Sequence, residues 1–131
     1  MSPLPSTSDD RDLLDALRRA GLDDVDGSGL ARALYSSDAS LYRVLPRAVV
    51  RPRHPDEIVA ALEVCRSLGV PLTARGAGTS IAGNAVGTGV VMDLARHLGR
   101  VRSLDPEAAT APKQVTEDDV AGVYRRSIDL W

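Results

Sequence analysis

The sequence predicts an α+β fold built on a βαβ unit, with short parallel strands flanked by helices, and three observations predict it. A short apolar run, AVVR at 48–51, precedes a strongly patterned helical segment, PDEIVAALEVCRSLG, at 55–69. A second run, VPLTA at 70–74, follows at once, so the order is strand, helix, strand. A third run, VVMDL at 90–94, lies beyond a glycine-rich stretch. Strands joined through a helix lie parallel, with a right-handed crossover.

Taken in order, residues 1–8 are rich in Pro and Ser and form a frayed start. Ser8 offers a cap for DDRDLLDALRRA, whose acids lie in the first turn and whose arginines lie in the last. Leu13, Leu14 and Leu17 give this helix an apolar stripe, and Gly21 stops it. DDVDGSG at 23–29 reads as a turn; it lacks the spacing and closing Glu of a calcium loop, so it is a plain connector. ARALYSSDASLYRVLP at 31–46 is weakly patterned, a helical turn followed by extended chain.

The helix at 55–69 is the firmest element. Pro55 sits in its first turn, acids follow, and Gly69 closes it. Ile58, Ala61, Leu62, Cys65 and Leu68 recur at helical spacing, and Cys65 on that stripe reads as a small buried hydrophobe rather than a reactive thiol. Beyond the third strand, VRSL at 101–104 reads as another strand. Thr116 caps EDDVAGVYRRSIDL, an amphipathic terminal helix weakened by Gly122.

Composition narrows the function. The 131 residues suffice for one domain, and with no Phe, one Trp and three Tyr its core must be built from Leu, Val, Ala and Ile. A net charge of −2 argues against nucleic-acid and membrane-surface partners. No run approaches the roughly 18 apolar residues of a membrane span. The acidic N-terminus is no signal peptide, and the single cysteine cannot form an internal disulfide, which together fit a cytoplasmic location. Arg43, Arg47, Arg51 and Arg53 form a basic run, read as a solvated edge. His54 and His97 lack metal-ligand spacing. Asp93, after an apolar strand, reads as the cap of the next turn.

The chemistry concentrates in ARGAGTSIAGNAVGTG, residues 74–89. From Gly76 to Gly89, 14 residues hold five of the 11 glycines and no charged side chain. Glycine loops after a strand let backbone N–H groups approach phosphate oxygens. The P-loop pattern fails because Asn84 stands where lysine belongs, and the dinucleotide GxGxxG pattern fails because its third glycine arrives late. Two readings remain: an anion or nucleotide site using main-chain donors, Thr79, Ser80, Asn84 and the cation Arg75, or a flexible surface loop.

PLTARGAGTSIAGNAVGTGVVMDLARHLGRV resembles the diphosphate-binding segment of PCMH-type FAD-binding domains, in the vanillyl-alcohol oxidase superfamily of FAD-linked oxidases. YSSDASLYRVLPRAVVRPRHPDEIVAALEVCRSLGVP is similar to the subgroup of glycolate oxidase and D-lactate dehydrogenase-like flavoproteins. The resemblance runs from about Ala33 to Ala109 and implies that Arg75, Gly76, Ala77, Gly78, Thr79, Ser80, Gly83 and Asn84 bind the FAD diphosphate. Asn84 matches a frequent family Gln. Thr79 matches the histidine that some relatives link to flavin, so the FAD would be non-covalent.

The departures are as informative. After Ala111 the sequence becomes PKQVTEDDVAGVYRRSIDLW, where the family has a further strand, a Pro-Gly turn and a second glycine-rich region. One cysteine cannot ligate an iron–sulfur cluster. The expectation is a helical lead-in at 1–32, a partial FAD-binding domain at 33–111 and a divergent helical tail at 112–131, as a frameshift or premature stop would leave. In the family, hydride passes from the α-carbon of a small 2-hydroxy acid to flavin. This chain is expected to be the flavin-binding portion of such a dehydrogenase, truncated before the substrate domain and, by itself, without catalytic residues. A separate chain could supply the rest. The alternative is an inactive flavin-binding fragment or a poorly folded remnant.

Overall fold

The computed structural model describes residues 7–100, with side chains from residue 9 onward. The strand expected at 101–104, the helix expected after Thr116 and the tail boundary at 111 lie outside the described residues. Among the described residues, four strands and four helices follow in the order α1 (Thr7–Arg19), β1 (Val25–Asp26), α2 (Gly29–Leu34), β2 (Ala48–Val50), α3 (Pro55–Ser67), β3 (Leu72–Arg75), β4 (Val90–Asp93) and α4 (Ala95–Leu98).

The strands form one mixed sheet of order β1-β2-β4-β3. β4 is parallel to both β2 and β3, in the registers Ala48↔Val90 and Leu72↔Val90, while β1 runs antiparallel to β2. The expected parallel direction holds, but the neighbour differs from that of a simple βαβ unit. β4 inserts between the two strands that α3 connects.

That insertion explains the length of the glycine-rich connection. Parallel neighbours such as β3 and β4 cannot be joined by a tight hairpin, because the chain must return the full length of the strand; about a dozen residues or more are needed. Residues 76–89 provide this return without a helix.

β2 and the first three residues of β4 read as unbroken apolar runs because both faces are covered. Ala48, Val50, Val90 and Met92 face a core with Leu13 and Leu17 of α1, Leu22, Ala61 and Cys65 of α3, and Val70. Val49 and Val91, pointing the other way by strand alternation, are also fully buried. Cys65 is free and 2% exposed, and burial raises its thiol pKa, as a packing role requires.

α1 and α3 end alike. Gly21 and Gly69 adopt left-handed φ of 94° and 63°, and the next residue in each case bonds back to a carbonyl five residues earlier. α1 already includes Thr7, so Ser8 lies inside the helix rather than at its cap. In α3 the buried stripe runs through Ala61 and Cys65, with Ile58 and Val64 packed against it, whereas Leu62 and Leu68 are about half exposed. Helical spacing alone could not separate Val64 from Leu62, since both neighbour Ala61 and Cys65 on the helical wheel. β1 was hidden in the Asp/Gly turn because a two-residue strand carries no periodicity.

Candidate functional site

The site is built at the carboxyl end of β3 and β4, where parallel strands present their following loops together. Arg75 ends β3 and pairs in register with Asp93 at the end of β4. Its guanidinium does not reach outward. Nη1 donates to the carbonyls of Ser37 at 2.9 Å and Ala85 at 3.1 Å, and the group lies over the Tyr35 ring, 5.2 Å from its centroid. One cation thereby ties both shoulders of the glycine-rich connection to the chain after α2.

A second set of contacts fixes the same connection. Asp38 Oδ2 accepts the Ala85 N–H at 3.3 Å, and the Ala39 N–H donates to the Gly78 carbonyl at 3.1 Å. The Ser80 hydroxyl oxygen accepts the N–H groups of Ala82 and Asn84 at 3.3 and 3.0 Å. Hydrogen bonds from the Ser40 hydroxyl and N–H hold the Asp38 carboxyl below its ordinary pKa, so it stays an anionic acceptor.

Four of the five glycines make room for protein. A Cβ on Gly78 would meet the Arg75 guanidinium, and one on Gly83 would stand 2.7 Å from the Tyr42 ring. Both residues also have left-handed φ, 71° and 80°. A Cβ on Gly87 would strike the Thr73 hydroxyl, and one on Gly89 the Pro71 carbonyl. Around Gly76, by contrast, nothing lies within 4 Å of that position. A flexible surface loop was one of the two readings left open by the sequence; the structure shows a braced loop, open at its first residues.

The open part carries the donors. Among the described residues, the backbone N–H groups from Gly76 to Ile81 donate to no protein acceptor. Gly76 and Ala77 line a cleft of about 410 Å³ with Leu34, Tyr35, Asp93 and Arg96. A second cleft of similar size shares Leu34, Tyr35 and Arg96 and continues to Asp24 and Arg51.

Between the clefts runs a polar chain that the sequence did not announce. Tyr35 Oη donates to Asp93 Oδ2 at 2.6 Å and accepts from Arg51 Nε at 3.3 Å. Arg51 pairs with Asp24 at 2.8 Å, and His97 Nε2 lies 3.1 Å from the other Asp24 oxygen. Burial pushes the Asp24 carboxyl up, but hydrogen bonds from His97 and Arg51 outweigh it and hold it below the usual range. Burial and the Asp93 hydrogen bond raise the Tyr35 hydroxyl pKa, so Tyr35 remains a donor. Asp93 Oδ1 accepts the N–H groups of Ala95 and Arg96, so it caps the next turn as expected.

Of the residues the sequence singled out, Gly76, Ala77 and Thr79 are exposed with unspent N–H groups. Ser80 is engaged as a loop acceptor, and Asn84 gives its N–H to it. Arg75, Gly78 and Gly83 shape the loop. The basic run is not a solvated edge throughout. Arg47 pairs with Asp10 at 2.6 Å and Arg51 with Asp24, each with a side chain less than one-fifth exposed. Tyr35 and Asp38 were missed because Asp93 and Ala85, which they reach, are distant in sequence, and Arg96 because the other residues lining its clefts are brought to it only by the fold. The one usable signal for Arg96 was its position just past a strand parallel to β3. No helix among the described residues is long and apolar enough to cross a membrane.

Comparison with known proteins fits this geometry. The family model described as FAD binding domain matches residues 46–115, more than half of the chain. The chain is 33% identical over 114 residues to the glycolate oxidase subunit GlcD of Bacillus subtilis, covering 83% of this chain and 24% of that protein. It is 38% identical over 81 residues to the D-2-hydroxyglutarate dehydrogenase of Escherichia coli, covering 58% of this chain and 8% of that one. The chain therefore spans a quarter or less of the length of these relatives. Among solved structures, the xylooligosaccharide oxidase from Myceliophthora thermophila superposes with a TM-score of 0.58 at 25% identity, covering 72% of this chain and 20% of that one. The 4-ethylphenol oxidase from Gulosibacter chungangensis shares the fold, with a TM-score of 0.61 at 16% identity over 78% of this chain and 21% of its own. The fold matches that of the N-terminal subdomain of PCMH-type FAD oxidases, and the chain belongs to the FAD binding domain family, whose cofactor is FAD.

Proposed function

We propose that this chain is the diphosphate-holding portion of an FAD-dependent oxidoreductase acting on small 2-hydroxy acids, with the flavin bound non-covalently. The observation that carries the reading is the run of unspent N–H groups from Gly76 to Ile81 at the carboxyl end of β3. A diphosphate presents several acceptor oxygens, and consecutive backbone donors in a preorganised loop satisfy them without reorganisation.

The residues present fit the group. The loop from Gly76 to Gly89 has no carboxylate to repel it. Thr79 is exposed and adds a hydroxyl donor, while Gly76 leaves space beside the cleft. Arg75, Asp38 and Ser80 act through the backbone, holding the donors in position. The absence of histidine at Thr79 supports non-covalent attachment.

FAD, when bound, supplies the two-electron redox chemistry. This chain's own residues bind and orient its diphosphate. The 2-hydroxy acid substrate is drawn from the two relatives, glycolate oxidase and D-2-hydroxyglutarate dehydrogenase. Substrate contacts are assigned to protein corresponding to the rest of their length, in the same chain or in a separate one, and the aligned portion alone is expected to bind flavin without turnover.

Flavin fluorescence titration of the full chain, with Gly76→Val as the control, tests this reading. Gly76 has open space and no left-handed φ, so the fold accepts the side chain while the cleft loses room. Saturable quenching that falls about tenfold or more in affinity in the variant is expected, a loss of about 1.4 kcal/mol. Equal affinity in both proteins would remove the loop as the diphosphate site.

A further inference from the structure

We infer that Arg96, and not Arg75, supplies the positive charge that faces the diphosphate, an inference that rests on the flavin reading above. The cations around the clefts are Arg51, Arg75 and Arg96. Arg51 is spent on Asp24, Asp26 and the Tyr35 hydroxyl. Arg75 is spent on the carbonyls of Ser37 and Ala85 and on the Tyr35 ring. Arg96 has no side-chain hydrogen bond or ion pair among the described residues; only its backbone N–H is engaged, by Asp93.

Its position suits the task. Arg96 belongs to the wall shared by both clefts, and in one of them it stands with Gly76 and Ala77, whose N–H groups are also unspent. Parallel register explains the meeting. Arg75 and Asp93 are partners at the ends of β3 and β4, so the residues that follow each strand emerge at the same sheet edge.

Both nearby carboxylates have hydrogen-bond donors of their own, and Asp24 also has a cation. Asp93 accepts from the Tyr35 hydroxyl and from the Ala95 and Arg96 N–H groups, and Asp24 is paired with Arg51 and lies beside His97. A free guanidinium beside unspent amide donors, with the adjacent anions already satisfied, is a site for a doubly charged phosphate chain. Guanidinium geometry favours bidentate contact with such oxygens.

The test compares FAD affinity in the full wild-type chain, Arg96→Gln and Arg96→Lys, each at low and at raised salt. Arg96 is exposed, so the thermal midpoint should be shared by all three and a change in affinity is not a folding effect. We expect Arg96→Gln to bind FAD about tenfold more weakly at low salt. Its salt dependence should flatten, because the screened charge has gone, and Arg96→Lys should recover part of both. If the wild type binds FAD and Arg96→Gln matches it in affinity and salt dependence, Arg96 is not the cation, while the flavin reading stands. If the wild type does not bind FAD, both fall together.

Discussion

The glycine-rich connection behaves as two segments of opposite character. From Ala82 to Gly89 the protein engages the N–H groups of Ala82, Asn84 and Ala85 and the carbonyls of Ala85 and Gly89. The N–H groups of Gly83 and of Val86 to Gly89 donate to no protein acceptor among the described residues. Ala82 and Asn84 bond to Ser80, Ala85 bonds to Asp38, and Gly83, Gly87 and Gly89 press against Tyr42, Thr73 and Pro71. From Gly76 to Ile81 the N–H groups are unspent and Gly76 faces open space. Glycine therefore does two jobs within one loop. In the second segment it permits close packing, and at its first residue it permits access. Gly78 belongs with the packed glycines although it lies in the donor-rich segment, because the space it leaves is filled by Arg75.

Breaking the packed segment should have the largest effect. A Cβ at Gly89 would collide with the backbone carbonyl of Pro71, which already accepts the Val90 N–H at 2.9 Å. Backbone cannot step aside as a side chain can. Gly89→Ala should therefore cost about 1–3 kcal/mol, read as a lowered urea midpoint. An unchanged midpoint would mean that the packed segment is looser than described.

Arg75→Met comes next, because it uncouples the two segments. The carbonyls of Ser37 and Ala85 would lose their donor, at about 1–3 kcal/mol of stability. Flavin affinity should fall further than in any variant that only lowers stability by the same amount, since the donors from Gly76 onward would no longer be held. Proportional losses in the two measurements would make Arg75 a fold residue only.

The smallest effect should come from the polar chain behind the clefts. Pairing with His97 and Arg51 depresses the folded-state pKa of Asp24. Its contribution to stability is therefore complete above the ordinary carboxylate range and is lost as pH falls through the lowered value. Asp24→Asn should flatten this acid limb of the stability profile while leaving flavin affinity near neutral pH close to wild type. A profile unchanged by the substitution would show that the pairing adds nothing to the fold.

Local signals in the sequence revealed the elements but not their neighbours. Pro55, the acids after it and Gly69 marked α3, and the apolar runs marked β2 and β4, because caps and strand patterns act over a few residues. The insertion of β4 beside β2 was not legible, since strand order depends on how distant segments meet. The same holds for the site. Glycine content alone left an anion site and a flexible loop both open, and the diphosphate contacts from Arg75 to Asn84 were marked only by the family resemblance. The role of Arg75 could not be read, because its partners Ser37 and Ala85 lie 38 and ten residues away. Arg47 and Arg51 looked like solvated charge for the same reason, their carboxylate partners being 37 and 27 residues distant.

Amide hydrogen exchange of the full chain with and without FAD tests the division most directly. The N–H groups of Ala82, Asn84 and Ala85 should already be protected and change little on adding FAD, whereas those from Gly76 to Ile81 should exchange freely without it and become protected with it. Protection that appears only outside Gly76–Ile81, or exchange in that segment that FAD does not slow, would contradict the assignment of the open segment as the diphosphate site.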